Sequence, residues 1–240
     1  PRGKPRNVRW TTGLGRSVLV ATARLFPLAA GICHGLLTKS SMTPTEPTDG
    51  SRAWLGVALL PLGVFVALAW GLLEHPLPWQ FSLAWVPSLD IALGFRIDAL
   101  SAQMLALITG IGTLVFVYAV GYLDHEPRRA QIFLVLPVFM LAMIGAVSAD
   151  NIILLFTFWE LTSITSFLLV GFNHQDAAAR DSARQALLVT MGGGLALLGG
   201  LMLLAQIAGS WSLSGIIAAA PGLVDDPLLP WAIMLVLVGA

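Results

Sequence analysis

Uncharged apolar runs about twenty residues long alternate along this chain with short polar breaks. Ala53–Leu73 is 21 residues without a charge, and Ala99–Leu123 is 25. Ala130–Ala149 follows the short charged break Asp124–Arg129. Asn151–Phe172, NIILLFTFWELTSITSFLLVGF, has 22 residues and a single charge. After the polar stretch NHQDAAARDSAR, Asn173–Arg184, comes a run from Gln185 to about Ile207, and a last one ends at Ala240. An α-helix rises about 1.5 Å per residue and a bilayer core is about 30 Å thick, so about 20 apolar residues cross it. The pattern predicts membrane helices over 53–73, 97–123, 130–149, 151–172, 185–207 and 228–240, with the last stopping at 13 residues. The two-residue alternation of a membrane barrel is missing. The expected fold class is an all-α integral membrane protein, a polytopic helix bundle.

The breaks carry their own signals. Glu74–Arg96 holds Pro76, Pro78 and Pro87 with Trp79 and Trp85, and reads as an ordered loop at the membrane surface. Asp98 opens the next helix, where the helix dipole favours a carboxylate; with Arg96 it reads as a cap and interfacial anchor. Pro137 predicts a kink and Asp150 a tight turn. Gly192, Ala196 and Gly200 fall four apart, a stripe of small residues that lets helices approach closely. Gly209–Leu229 reads as a loop or surface helix.

Residues 1–52 have a different pattern. Arg2, Lys4, Arg6 and Arg9 open the chain, and Arg16 and Arg24 interrupt the next apolar stretch. The longest uncharged run there, Leu25–Thr38, has 14 residues and includes Pro27, which is short for a span. Thr38–Ser51 reads as a flexible linker. The division expected is a basic segment, 1–52, read as either a first membrane helix or an atypical leader, and a transmembrane domain, 53–240.

Composition agrees with a bilayer setting. Hydrophobic residues make up 57% and charged residues 11%, against about 45–50% and about 25% in soluble domains. Mean hydropathy is +0.83. The formal net charge of zero gives no basic surface for nucleic acid. Positively charged residues favour the cytoplasmic side. With Arg52 placed inside, Arg128, Arg129, Arg180 and Arg184 also fall inside, while the outer side receives only Arg96 among the arginines, with Glu74, Asp90, Asp150, Asp225 and Asp226. The assignment is a multi-pass cell-membrane protein. A span over 13–37 would put the basic N-terminus outside, against the same rule.

Soluble catalysis finds no support. Gly13 and Gly15 lack a dinucleotide loop's third glycine, the triple glycine Gly192–Gly194 is followed by no Lys-Ser/Thr, and neither HExxH nor GxSxG occurs. Cys33 is the single cysteine, and His34, His75, His125 and His174 lie far apart, so no metal and no cofactor is expected. The chemistry concentrates on Glu160, tenth in the Asn151–Phe172 run. A central charge costs about 2.5–3.5 kcal/mol on insertion scales and each Leu, Ile or Phe returns about 0.3–0.6, so about five or more are needed to offset it. Intramembrane carboxylates face a protein interior or a wet cavity and mark ion or proton paths. On a helix, Thr157 and Ser163 lie within about 60° of Glu160 and offer hydroxyls as polar support. Two readings stand: a proton carrier, or a structural Glu bonded to a neighbouring helix.

FRIDALSAQMLALITGIGTLVFVYAVGYL (Phe95–Leu123) and SADNIILLFTFWELTSITSFLLVGF (Ser148–Phe172) resemble the antiporter-like subunits shared by respiratory complex I and the Mrp multisubunit sodium/proton antiporters. FWELTSITSFLLVGF (Phe158–Phe172), the stretch Phe172–Gly200 and WVPSLDIALGFRIDALS (Trp85–Ser101) look closest to the A-type subunit of the Mrp system, also called Mnh or Pha. The resemblance covers about Ala53–Ala240. It implies a fold of about fourteen membrane helices with two inverted five-helix repeats, of which this chain would hold about five to seven. It implies that Glu160 matches the family's glutamate on its fifth helix, which works with a lysine on the seventh; LVLVGA would fall just before that lysine, making the chain a fragment. The large complex I subunit carries an Arg and an Asp where this chain has Met191 and Gly194, which favours the Mrp type. The implied function is a proton-translocating subunit of a hetero-oligomeric sodium (or potassium or lithium)/proton antiporter, not an enzyme. The alternatives are a pumping subunit of an NADH:quinone oxidoreductase-like complex and an inactive structural fragment.

Overall fold

Helices occupy the apolar runs, and they end where the chain turns polar. The computed structural model describes residues 59–86, 91–123 and 126–240, all within the unit Pro47–Ala240. The segment 1–52, with Arg52 and Cys33, and the first six residues of the expected span 53–73 lie outside the described residues. Helix α1 is Leu60–Glu74, with Pro61 in its first turn, where a missing N–H costs nothing. Then come α2, Ala99–Tyr122; α3, Arg129–Ser148, with Pro137 inside it; α4, Ile152–Val170; and α5, Ala177–Ala208. A short α6, Leu213–Ala219, runs into a 3-10 turn, Ala220–Gly222, and α7 is Leu229–Gly239. Among the described residues, α2 to α5 are long and apolar enough to cross a bilayer, and α1 and α7 are shorter apolar helices. This is the expected polytopic helical bundle.

Two elements differ from the sequence reading. The expected surface loop 74–96 contains an antiparallel hairpin: β1, Trp79–Val86, pairs with β2, Ile91–Ile97, with Trp79 opposite Ile97, Phe81 opposite Phe95 and an irregularity between Ala84 and Val86. Helix α5 begins at Ala177 rather than Gln185, capped by the Asp176 side chain accepting from the Ala178 amide. At 32 residues it is about 48 Å long, well beyond a bilayer core of about 30 Å, so its polar first turns stand clear of the hydrocarbon. It ends on Gly209, whose φ of 66° is the left-handed conformation that glycine adopts freely.

Helix α4 packs against both α3 and α5, and α7 packs on α5. Ile152, Leu197, Leu201, Ala205 and Ile216 form the main core, joining α4, α5 and α6. Phe116 and Met140 join α2 to α3. Buried hydroxyls are satisfied within their own helices, as in Thr109 Oγ1 to Leu105 O and Thr165 Oγ1 to Leu161 O, both 2.7 Å. Outward residues such as Ile111, Leu114 and Val117 are exposed and apolar, as a lipid-facing surface requires. The small-residue stripe sits differently from expectation. Gly192 faces open space, while Gly193 and Gly200 meet α7; a Cβ on Gly200 would lie 2.7 Å from the Val236 amide nitrogen and 2.8 Å from Ala232 O.

The two ends of the bundle differ in charge. At one end the α2–α3 and α4–α5 connections touch through Arg128, whose Nη1 donates to Phe172 O at 3.0 Å and to His174 Nδ1 at 2.7 Å, its guanidinium 4.5 Å from the Phe172 ring centre. Arg180 Nη1 reaches His174 O, so the Arg128 and Arg180 loops share one end, as the charge pattern predicts. At the other end the hairpin, the α3–α4 turn and α6 meet: the Asp150 amide donates to Gly94 O, and its carboxylate holds Ser214.

Candidate functional site

Glu160 is the ninth of the 19 residues of α4, close to the middle of the span. The helix starts on Asn151, whose side chain accepts from the Ile153 and Leu154 amides, satisfying two of the donors a helix start leaves open. One face of α4 meets α3 and the hairpin: the Phe158 ring fills the space over Gly145, and its centre lies 6.4 Å from that of Phe95. The other face presents Trp159 and Glu160 to α5.

There the Glu160 carboxyl enters a notch in α5. Oε1 lies where a Cβ on Gly194 would stand, and Trp159 Cδ1 is 3.8 Å from the same point. Gly194 is itself buried. Oε1 is shut off from solvent and has no hydrogen-bond partner among the described residues. A buried polar oxygen without a partner forfeits its hydration, a cost that folded proteins rarely leave standing away from functional positions. Such an oxygen can take a proton, or accept a bond from water or from a donor brought to it.

The two hydroxyls expected to support Glu160 do not reach it. Thr157 Oγ1 donates to Ile153 O at 2.8 Å from an exposed position, and Ser163 Oγ donates to Trp159 O at 3.3 Å. Angular proximity on a helix brings side chains to one face, but the carbonyl four residues back is the nearer acceptor. What sequence reasoning missed is the partner surface: Gly194 on α5, noted in the sequence as part of a triple-glycine run and as a departure from the complex I relative, was not connected with Glu160. Helix α7 reaches α5 at the same level: a Cβ on Gly239 would meet the Leu197 amide and, 2.6 Å away, the Gly193 carbonyl.

Toward the hairpin end a polar cavity of about 220 Å³ is lined by Arg96, Asp98, Ser101, Asp150 and Ser214 among others. Asp98 is the side-chain cap of α2, its Oδ1 accepting from the Ser101 amide at 2.9 Å, as its sequence position predicts. That backbone bond holds the Asp98 carboxyl below its ordinary range against the opposing effect of burial, with smaller help from the Ser101 hydroxyl and the nearby Arg96 charge.

Residues 83–133 match the family described as NADH-Ubiquinone oxidoreductase (complex I), chain 5 N-terminus, and residues 149–240 match NADH:quinone oxidoreductase/Mrp antiporter, TM. The chain is 39% identical over 202 residues to the A/B subunit of a probable K(+)/H(+) antiporter of Rhizobium meliloti, covering 81% of this chain and 20% of that protein. It is 40% identical over 159 residues to the A1 subunit of a Na(+)/H(+) antiporter of Staphylococcus haemolyticus, covering 66% of this chain and 20% of the relative. Among solved structures, a chain of the Mrp complex from a Dietzia species superposes with a TM-score of 0.68 at 27% identity, over 80% of this chain and 21% of that one. The archaeal membrane-bound sulfane sulfur reductase shares the fold, with a TM-score of 0.66 at 17% identity over 78% of this chain and 38% of that chain. The present chain thus spans about a fifth of the length of these curated relatives.

Proposed function

We propose that this chain, whose residues 149–240 match the NADH:quinone oxidoreductase/Mrp antiporter family and whose residues 83–133 match the N-terminal family of complex I chain 5, is part of a proton-translocating subunit of a multisubunit monovalent cation/proton antiporter. Glu160 is its intramembrane proton carrier. The observation that carries this reading is the Glu160 Oε1 atom, buried at mid-span against a neighbouring helix and without a hydrogen-bond partner among the described residues. Glu160 as a whole is half-buried, and Oε1 turns into α5 rather than to the outer surface of the helices, where an ionised carboxylate would cost most.

In this mechanism Glu160 gains a proton on one side of its cycle and loses it on the other. A cation brought within ~4–6 Å favours the ionised carboxylate by about 1.4–4 kcal/mol, enough to switch it between charged and neutral. The family resemblance supplies a lysine for that role on the helix that α7 matches, and α7 meets α5 at the level of Gly194. The naming of relatives as Na(+)/H(+) and K(+)/H(+) antiporter subunits supports a monovalent cation as the counter-substrate and other subunits as partners. The subunit is a transporter component with no chemical reaction of its own, multi-pass in the cell membrane, with Arg128, Arg129, Arg180 and Arg184 on the cytoplasmic face.

A second reading, a pumping subunit of a respiratory quinone-reducing complex, draws on the match of residues 83–133 to a complex I chain. It uses Glu160 in the same way. The direct test is Glu160→Gln in the complete complex, assayed as sodium- or potassium-dependent pH change in inverted vesicles. Loss of exchange at normal protein level is expected. Undiminished exchange overturns the carrier role.

A further inference from the structure

We propose that Gly194 is a positioning residue for the Glu160 carboxyl: by presenting no side chain, it leaves in α5 a notch that admits Oε1. This rests on the reading of Glu160 as the proton carrier. Three glycines of α5 separate the possible roles of a small residue here. A Cβ on Gly192 would meet nothing within 4 Å. A Cβ on Gly200 would collide with backbone, the Val236 nitrogen at 2.7 Å and Ala232 O at 2.8 Å, so that glycine serves the packing of α5 on α7. The atoms nearest to a Cβ on Gly194 would be the Glu160 carboxyl and the edge of Trp159, with Glu160 Cδ at 3.3 Å and Trp159 Cδ1 at 3.8 Å.

The atom in the way at position 194 is thus the far end of a flexible side chain. An alanine there is accommodated by a new Glu160 rotamer and asks no helix to move. The fold tolerates the methyl, while the carboxyl leaves its place. Carriers of protons work over hydrogen-bond distances, and a misplacement of about 1 Å can cost about a hundredfold in rate. The glycine therefore governs where the proton is held, not whether the bundle forms.

The experiment uses the full-length subunit in its assembled complex, in inverted vesicles, with the amount of each subunit checked by immunoblot. Gly194→Ala is expected to slow cation-dependent proton exchange by about tenfold or more at normal protein level, and Gly192→Ala to leave it unchanged. Adding Glu160→Asp to Gly194→Ala shortens the acid by one methylene and clears the methyl, so the double variant is expected to exchange faster than Gly194→Ala alone. A packing defect would not respond in that way. The rate at which a membrane-soluble carbodiimide modifies Glu160 supplies a readout independent of turnover, and it is expected to change in Gly194→Ala membranes. Wild-type exchange and wild-type carbodiimide labelling in Gly194→Ala would overturn the proposal, as would a double variant no faster than the single one. If Glu160→Gln abolishes exchange while Gly194→Ala does not slow it, this inference falls and the carrier reading stands. If Glu160→Gln exchanges normally, the carrier reading itself fails.

Discussion

Asp150 holds Ser214 with both carboxylate oxygens, Oδ1 accepting from its amide at 2.9 Å and Oδ2 from its hydroxyl at 2.7 Å, across 64 residues of sequence. The pair ties the α3–α4 turn to the first turn of α6, and the Asp150 amide continues the tie to Gly94 of the hairpin. Removing the carboxylate leaves two half-buried donors without partners, at about 1–3 kcal/mol. Asp150→Ala is expected to lower stability by that amount and Asp150→Asn by less, since its amide oxygen still accepts one bond. Denaturant unfolding of the purified complex in detergent measures both, and equal loss in the two variants would deny the Ser214 contact its weight.

Asp98 gives a pH dependence with a definite sign. Its carboxyl, capping α2 through Ser101, is held below the ordinary value of 3.8. A group depressed in the folded state adds stability that is fully present above its unfolded value and is lost as pH falls through the lower folded value. Asp98→Ala is therefore expected to cost about 1 kcal/mol near pH 7, with the gap to wild type narrowing below about pH 4. Thermal midpoints across pH check this, and a gap that widens on acidification would contradict the capping role.

Arg128 clips the α2–α3 and α4–α5 connections together by geometry that a lysine cannot copy. One Nη1 serves Phe172 O and His174 Nδ1 while the planar group lies over the Phe172 ring, and Nε sits 3.6 Å from Glu126. A lysine keeps the charge but loses the forked donors and the stacking. Arg128→Lys is expected to cost about 1–2 kcal/mol and to raise protease cleavage between residues 172 and 176. Unchanged cleavage would show that the two connections hold together without the clip.

The long spans were legible because four runs of about twenty apolar residues permit little else in a bilayer, and α2, α3 and α4 start and stop within a residue or two of their polar breaks. The hairpin was hidden by its prolines and tryptophans, which drew attention to the interface. The signal was there in period two: Trp79, Phe81, Leu83 and Trp85 alternate with Gln80, Ser82 and Ala84, and Ile91, Leu93, Phe95 and Ile97 alternate with Ala92, Gly94 and Arg96. At the site, Glu160 stood out as a lone charge in a run that should have none. Gly194 stood out only as a departure from the complex I relative, not as a neighbour of Glu160, because a glycine's role in a notch depends on which neighbour points into it, and pairing between helices α4 and α5 is a tertiary fact. Thr157 and Ser163 were assigned by angle alone, which does not weigh the carbonyls of their own helix.

Orientation is the remaining prediction, and the structure sharpens the choice of probes. The charge pattern puts the Arg128 and Arg180 connections on the cytoplasmic side, and the hairpin stands at the opposite end. Gln80 on β1 and Gln175 beside the Arg180 helix start are both exposed and polar. In a subunit freed of native cysteines, beginning with Cys33, Gln80→Cys is expected to react with an impermeant maleimide added to intact cells. Gln175→Cys is expected to react only in inverted vesicles. The reverse pattern would invert the topology and move the route to Glu160 from each side accordingly. Labelling of both sites from one side would break the four-span arrangement itself, since α2, α3 and α4 place an odd number of crossings between the two positions.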